Sequence, residues 1–188
     1  QEVTKKVTLL STILQINDLV SRKAEMKEVF KFTCGRIRNV FNLDACFILL
    51  RANEDKFLVE AIDSTLPLEL DSLSKEESFL KPLIQENRFI ILDRNHPPLE
   101  DFKDFIRKVG NINNLALAPI TLRKEIAGIL GIAKKEVEFT FAEDEIESLN
   151  IFARHISLLL EHREMSIKIQ DLEITDALTG LYNDKFIR

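Results

Sequence analysis

The sequence predicts an α/β (α+β) fold: a central antiparallel sheet with a helical bundle on one face and a lidded pocket on the other, continued by a long C-terminal helix. Three observations predict it. Two helical patterns precede any strand-like run. Two hairpins follow, with a mixed segment between them. No glycine or proline then interrupts the chain from Ala142 to Thr179. At 188 residues, 45% hydrophobic and 30% charged, the chain has enough apolar surface for one core and lacks the signature of disorder.

Residues 3–20 place Leu9, Ile13, Ile16 and Val20 on one helical face and Val7, Leu10 and Leu14 on another, so this helix needs two partners. Residues 26–41 repeat Met26, Val29, Phe30, Thr33, Ile37, Val40 and Phe41 at three-and-four spacing, an amphipathic helix with one buried stripe. Residues 44–50 and 57–62 flank a polar turn and read as a hairpin. Both alternating sets of its first strand, Ala45/Phe47/Leu49 and Cys46/Ile48/Leu50, are apolar, so both faces of the sheet must be covered.

Ser74 to Glu77 has the form of a capping box ahead of a short helix restarted at Pro82. Residues 89–92 form a brief strand, and 94–98, with two prolines, an extended loop. A short helix over 99–109, closed by Gly110, completes a lid. The second hairpin is 114–122 and 126–134, turning at Arg123-Lys124-Glu125. Pro119 lacks an N–H and belongs at a bulge or against an unpaired side, while Gly128 and Gly131 mark a close approach. Thr140 to Glu143 is a second capping-box sequence, opening a helix from Ala142 to about Ile174, roughly 50 Å at ~1.5 Å per residue. Its later part spaces Leu158, His162, Met165, Ile169, Leu172 and Asp176 by four, three, four, three and four, the register of a coiled-coil seam. A homodimer paired through the first and last helices is the expectation.

Charge and composition exclude several classes. The 26 basic and 31 acidic residues give a net charge of −5, and no stretch gathers Lys and Arg into a stripe, so nucleic acid is not expected as a partner. The longest apolar runs fall far short of the ~20 residues that span a bilayer, and no signal segment opens the chain, so membrane contact is not expected within it and the cytoplasm is the expected compartment. Gln1 and Arg188 both read as cut ends. Cys34 and Cys46 lack metal or redox spacing and read as buried thiols. His96, His155 and His162 are not spaced to converge on one ion, so no metal is expected, and no cofactor is required by the sequence.

The run Asn114-Leu-Ala-Leu-Ala-Pro119-Ile, then Ile126-Ala-Gly128-Ile-Leu-Gly131, then Phe139-Thr-Phe-Ala-Glu-Asp144-Glu145, resembles the second half of a GAF domain, a resemblance covering residues 22–162. The segment Asp176-Ala177-Leu178-Thr179-Gly180-Leu181-Tyr182-Asn183 resembles the entry motif of GGDEF domains, which follows a coiled-coil helix. That resemblance implies a bacterial signalling protein whose missing domain condenses two GTP molecules to cyclic di-GMP. The chain departs from it in carrying Asp184 before Lys185, where the family continues with basic residues. The expected organisation is a dimerisation helix at 1–21, a GAF domain at 22–162, a signalling helix at 163–175 and the start of a GGDEF domain at 176–188. The fragment itself then holds no catalytic residues, since the cyclase signature lies beyond Arg188.

Members of the GAF family resemble one another while binding cyclic nucleotides, haem, bilins, metabolites or nothing known, so the pocket must be read locally. Ala133-Lys134 stands where cyclic-nucleotide binders carry Asn-Lys, and neither cysteine lies in the lid where a covalent bilin would attach. Asp93, Arg94 and His96 beside the lid, with Phe102 and Arg107 on its helix, are the candidate ligand-binding residues. Leu158, His162, Met165, Ile169 and Leu172 are the candidate dimer interface. Two alternatives to sensing stand: a ligand-free dimerisation or spacer module filled by Phe47, Phe57, Phe102 and Phe105, and, by resemblance to stand-alone GAF enzymes, a thiol-based methionine sulfoxide reductase.

Overall fold

The computed structural model describes residues 2–97 and 100–179. Helices α1 (Glu2–Ser21) and α2 (Met26–Val40) come first. α2 buries Val29, Phe30, Thr33, Cys34 and Ile37, the single stripe its spacing dictates. Asn42, in the left-handed region at φ 51°, redirects the chain into strand β1 (Ala45–Arg51), followed by β2 (Lys56–Ser64) and β3 (Ser72–Ser74). A 3-10 turn at Ser78–Leu80 leads to α3 (Lys81–Glu86), β4 (Ile90–Leu92) and α4 (Glu100–Val109). The hairpin β5 (Asn114–Leu122) and β6 (Glu125–Lys134) precedes α5 (Glu143–Thr179).

The six strands form one antiparallel sheet in the order β3-β2-β1-β6-β5-β4. Side chains alternate across it. Cys46 and Ile48 join Ala116, Ala118, Ile120, Leu130 and Ile132 beneath α1, α2 and α5. Phe47 and Leu49 join Leu115, Leu117 and Ile129 beneath a lid built from residues 66–112. At about 1.5–3 kcal/mol for each fully buried side chain, those last five alone represent on the order of 10 kcal/mol, as much as a whole domain's net stability. Neither face can be left open to water.

Local chemistry explains the details. β4 pairs with Leu115–Leu117 and stops there, so Pro119 lies where β5 has no neighbour on the β4 side and its missing N–H costs nothing. Gly131 faces Phe47 across β1 and β6, and a Cβ built on it would fall within the Phe47 ring. Gly128 is equally confined, against the carbonyl oxygen of Leu49. No helix among the described residues is long and apolar enough to cross a membrane.

Four local expectations are corrected. β3 is an additional edge strand, invisible in a Ser-Leu-Ser run with one apolar residue. The Ser74 hydroxyl accepts the N–H of Glu76 at 3.2 Å, closing a turn instead of capping a helix. Thr140 does not open α5; the Ala142 N–H is satisfied by the Glu145 carboxylate at 2.8 Å, one box further along the chain. α5 also continues past Ile174 to Thr179, because nothing before Gly180 breaks it. The first four residues of the Asp176 motif therefore end this helix, and 180–188 lie outside the described residues.

Candidate functional site

The segment after β4 was expected to be extended, yet it forms a tight turn. Asp93 and His96 exchange backbone hydrogen bonds of 3.1 Å, because the Asp93 carboxylate gathers the turn around itself. Its Oδ1 accepts the N–H groups of Asn95 at 2.9 Å and His96 at 3.0 Å, and lies 2.9 Å from His96 Nδ1. Its Oδ2 accepts the N–H of Phe141 at 3.0 Å, two residues before α5 begins. The side chain is 1% exposed. Burial pushes its carboxyl up, but the His96 imidazole and the three backbone donors outweigh burial and hold the group below the usual carboxylate range.

This one carboxylate joins the root of the lid to the root of α5. A second link runs beside it: the Arg94 N–H donates to the Phe139 carbonyl at 3.1 Å, and its guanidinium meets Glu138 at 3.4 Å. Lys5 of α1 and Asp144 in the first turn of α5 close a third contact at 2.8 Å.

A cleft of about 750 Å³ opens next to Asp93, between α4 and the connection from α4 into β5. Arg94, Lys103 and Arg107 supply its positive charge, Asn113 its amide, and Ile106, Ile112 and Val137 its apolar wall. Asn113 is fixed by donating from Nδ2 to the carbonyl of Lys135, and Asn114 likewise to those of Lys134 and Glu136. The wall is therefore tied to the chain that leads into α5. Chemically the cleft suits a small ligand with an apolar body and a polar or anionic group.

Comparison with known proteins places this geometry. A family model described as GAF domain matches residues 23–161. The chain belongs to the GAF domain family. Its members are regulatory, small-molecule-sensing modules of signalling proteins. The fold matches the phycoerythrobilin-bound GAF domain of a cyanobacterial phytochrome at TM-score 0.75 and 14% identity, covering 86% of this chain and 98% of that one. The GAF domain of an Acinetobacter phosphoenolpyruvate-protein phosphotransferase matches at 0.69 and 17%, covering 86% and 95%. That of Coxiella burnetii matches at 0.68 and 20%, covering 85% and 96%. No curated protein sequence matches the chain.

Of the five candidate ligand residues in this GAF domain, Asp93, Arg94 and Arg107 line the cleft. His96 stands at its root, held by Asp93, with a side chain 59% exposed. Phe102 lies elsewhere: it is 1% exposed and packs edge-on to Phe79 at 5.0 Å and against Phe105 at 5.8 Å. Lys103 and the segment from Asn111 to Asn114 were not singled out from sequence. The signal for Lys103 was its spacing of four from Arg107, one helical turn. The dimer candidates Leu158, Met165, Ile169 and Leu172 are all more than half exposed, and His162 is exposed with them.

Two alternative chemistries meet opposing geometry. Lys134, at the position where cyclic-nucleotide binders carry the Lys of Asn-Lys, donates its Nζ to the Asn42 carbonyl at 2.5 Å and sits 5.8 Å over the Phe139 ring. Cys34 and Cys46 are fully buried on the helix side of the sheet. Burial, and then the neighbouring Cys46 thiol, push the Cys34 thiol well above its usual value, the opposite of what thiol catalysis requires. Among the described residues no group of three or more His, Cys, Asp or Glu side chains is placed to hold a metal ion.

Proposed function

We propose that this GAF domain is the homodimeric sensor of a bacterial signalling protein, in which a small molecule held in the cleft acts through α5 on a diguanylate cyclase domain that follows it. The observation that carries the reading is Asp93, whose carboxylate bonds both the turn lining the cleft and the Phe141 N–H at the root of α5. The GGDEF-like segment from Asp176 supports the choice of output, because it begins on the helix that the cleft is tied to. The fragment itself supplies no catalysis in this scheme.

An exposed apolar surface on two helices supports the dimer. α1 exposes Val3, Val7, Leu10 and Leu14, and α5 exposes Ile151, Leu158, Met165, Ile169 and Leu172. The Lys5–Asp144 bond and the groove between Leu10 and Ile151 align these helices in parallel. At roughly 100 Å² each, the nine side chains offer on the order of 900 Å² per copy, comparable with the ~800 Å² per partner of a standard interface. Their spacing, four-three-four along α1 and seven-seven-four-three along α5, keeps each set on one helical face and fits a second copy of this chain.

A second reading has its own observation. Phe47, Phe57, Phe79 and Phe102 are buried and fill the space between sheet and lid, as a ligand-free spacer requires. Native mass spectrometry of the purified chain separates the two. The sensor reading expects a small molecule carried through purification and lost from an Arg94→Glu, Arg107→Glu double variant, and cyclic di-GMP synthesis by the full-length parent that responds to that molecule. An empty domain whose cleft variants leave the parent's output unchanged would establish the spacer instead.

A further inference from the structure

α5 carries two histidines one heptad apart, His155 and His162, at the same heptad position as Ile169. Ile151, Leu158 and Met165 alternate with them at the other seam position. A coiled-coil seam ordinarily takes apolar side chains at both positions, so two imidazoles in succession need a physical account.

The surroundings of His155 hold little that could neutralise a positive charge. His155 is half-buried, and its Nε2 is enclosed without a hydrogen-bond partner. Burial alone lowers its pKa, with no contribution from any charged neighbour. Three elements pack around this stretch of α5. α1 carries no charged residue from Val7 to Asn17, β5 carries none, and β6 has only Glu125 and Lys134 at its ends. Further along, His162 is flanked in sequence by Glu161 and Arg163, and Glu164 is committed to Arg123 at 3.0 Å.

We propose that His155 and His162 make the pairing of two copies of this chain pH-sensitive, so that acidification loosens the α5 seam. The inference rests on the dimer reading above. In a parallel two-fold pair, residues at one seam position face their own copies, so His162 meets His162 of the second copy. Neutral imidazoles tolerate this, since one ring can donate where the other accepts. Protonated rings set two like charges together in a water-poor seam. His155 acts in the same direction, because a second copy covers further a ring already enclosed without a partner.

The sign and size follow from linkage. Each ring that binds a proton in the separate chains but must be neutral in the pair weakens pairing by up to about tenfold per pH unit, so a layer of two rings supports a loss on the order of a hundredfold between pH 7.5 and 5.5. Sedimentation equilibrium of the full chain in EDTA at those two pH values reads this directly, with circular dichroism confirming that the fold persists. The wild type should dimerise about a hundredfold more weakly at pH 5.5. His162→Leu, which alters an exposed side chain, should pair more tightly and lose most of the pH dependence, and His155→Leu, His162→Leu should lose the rest. A wild-type dimer equally tight at both values, or a double variant with undiminished pH dependence, overturns the histidine assignment alone. A chain monomeric throughout overturns the dimer reading with it.

Discussion

Asp93→Ala tests the junction between the cleft and α5. The substitution removes four acceptor contacts at once. Of the donors left behind, the Phe141 N–H is buried and finds no substitute, a loss of about 1–3 kcal/mol. The N–H groups of Asn95 and His96 lie in a turn that water reaches, and each contributes about 0.5–1.5 kcal/mol when its charged acceptor goes. The total is about 2–6 kcal/mol, with Asp93→Asn near half of that because one oxygen survives. Urea unfolding midpoints measure the loss, and amide hydrogen exchange at Phe141 locates it. Because the native Asp93 pKa lies below that of the unfolded chain, its contribution is complete above the unfolded value of ~3.9 and disappears as pH falls through the native one. Asp93→Asn should lack that acid-side component. A stability change under 1 kcal/mol for the alanine variant, or unchanged exchange at Phe141, would refute the assignment of Asp93 as the junction.

Other outcomes follow from packing. Gly131→Ala drives a methyl group into the Phe47 ring and should destabilise by about 1–3 kcal/mol in thermal melts, with Phe47→Leu in the same chain recovering part of the loss. Cys34 and Cys46, both fully buried, should resist an aqueous disulfide reagent in the native protein and react together once urea unfolds it; fast native reaction of either would contradict the packing.

Much of the fold is legible in residue spacing, and for definite reasons. The double alternation of β1 announces a sheet covered on both faces, since Ala45/Phe47/Leu49 and Cys46/Ile48/Leu50 are both apolar and period two assigns them to opposite sides. Pro119 and Gly131 announce their positions through a missing donor and a missing side chain. β3 does not, because a three-residue edge strand is made by its partner's pairing and not by its own composition. The site is less legible for a related reason. Arg94 and Arg107 show as charges beside a lid, but Lys103 and Asn113 become wall residues only once α4 is laid against the start of β5. Phe102 misled because α4 is amphipathic: one position from Lys103 and five from Arg107, it lies off the charged face those two share and packs into the core against Phe79 and Phe105.

The strength of the junction constrains how a ligand can use it. A molecule that acted by opening the Asp93 turn would have to prefer the opened form by that full amount, about 4 kcal/mol at its midpoint, an affinity difference on the order of a thousandfold. One that shifted α4 and the Asp93 turn together, leaving the carboxylate on Phe141, would displace the root of α5 with every hydrogen bond kept. The second course needs far less differential affinity. The expected signal is therefore a rigid displacement of the lid root and the first turn of α5. Exchange protection at Phe141 should be maintained or strengthened on ligand binding, while protection in the α1–α5 seam changes.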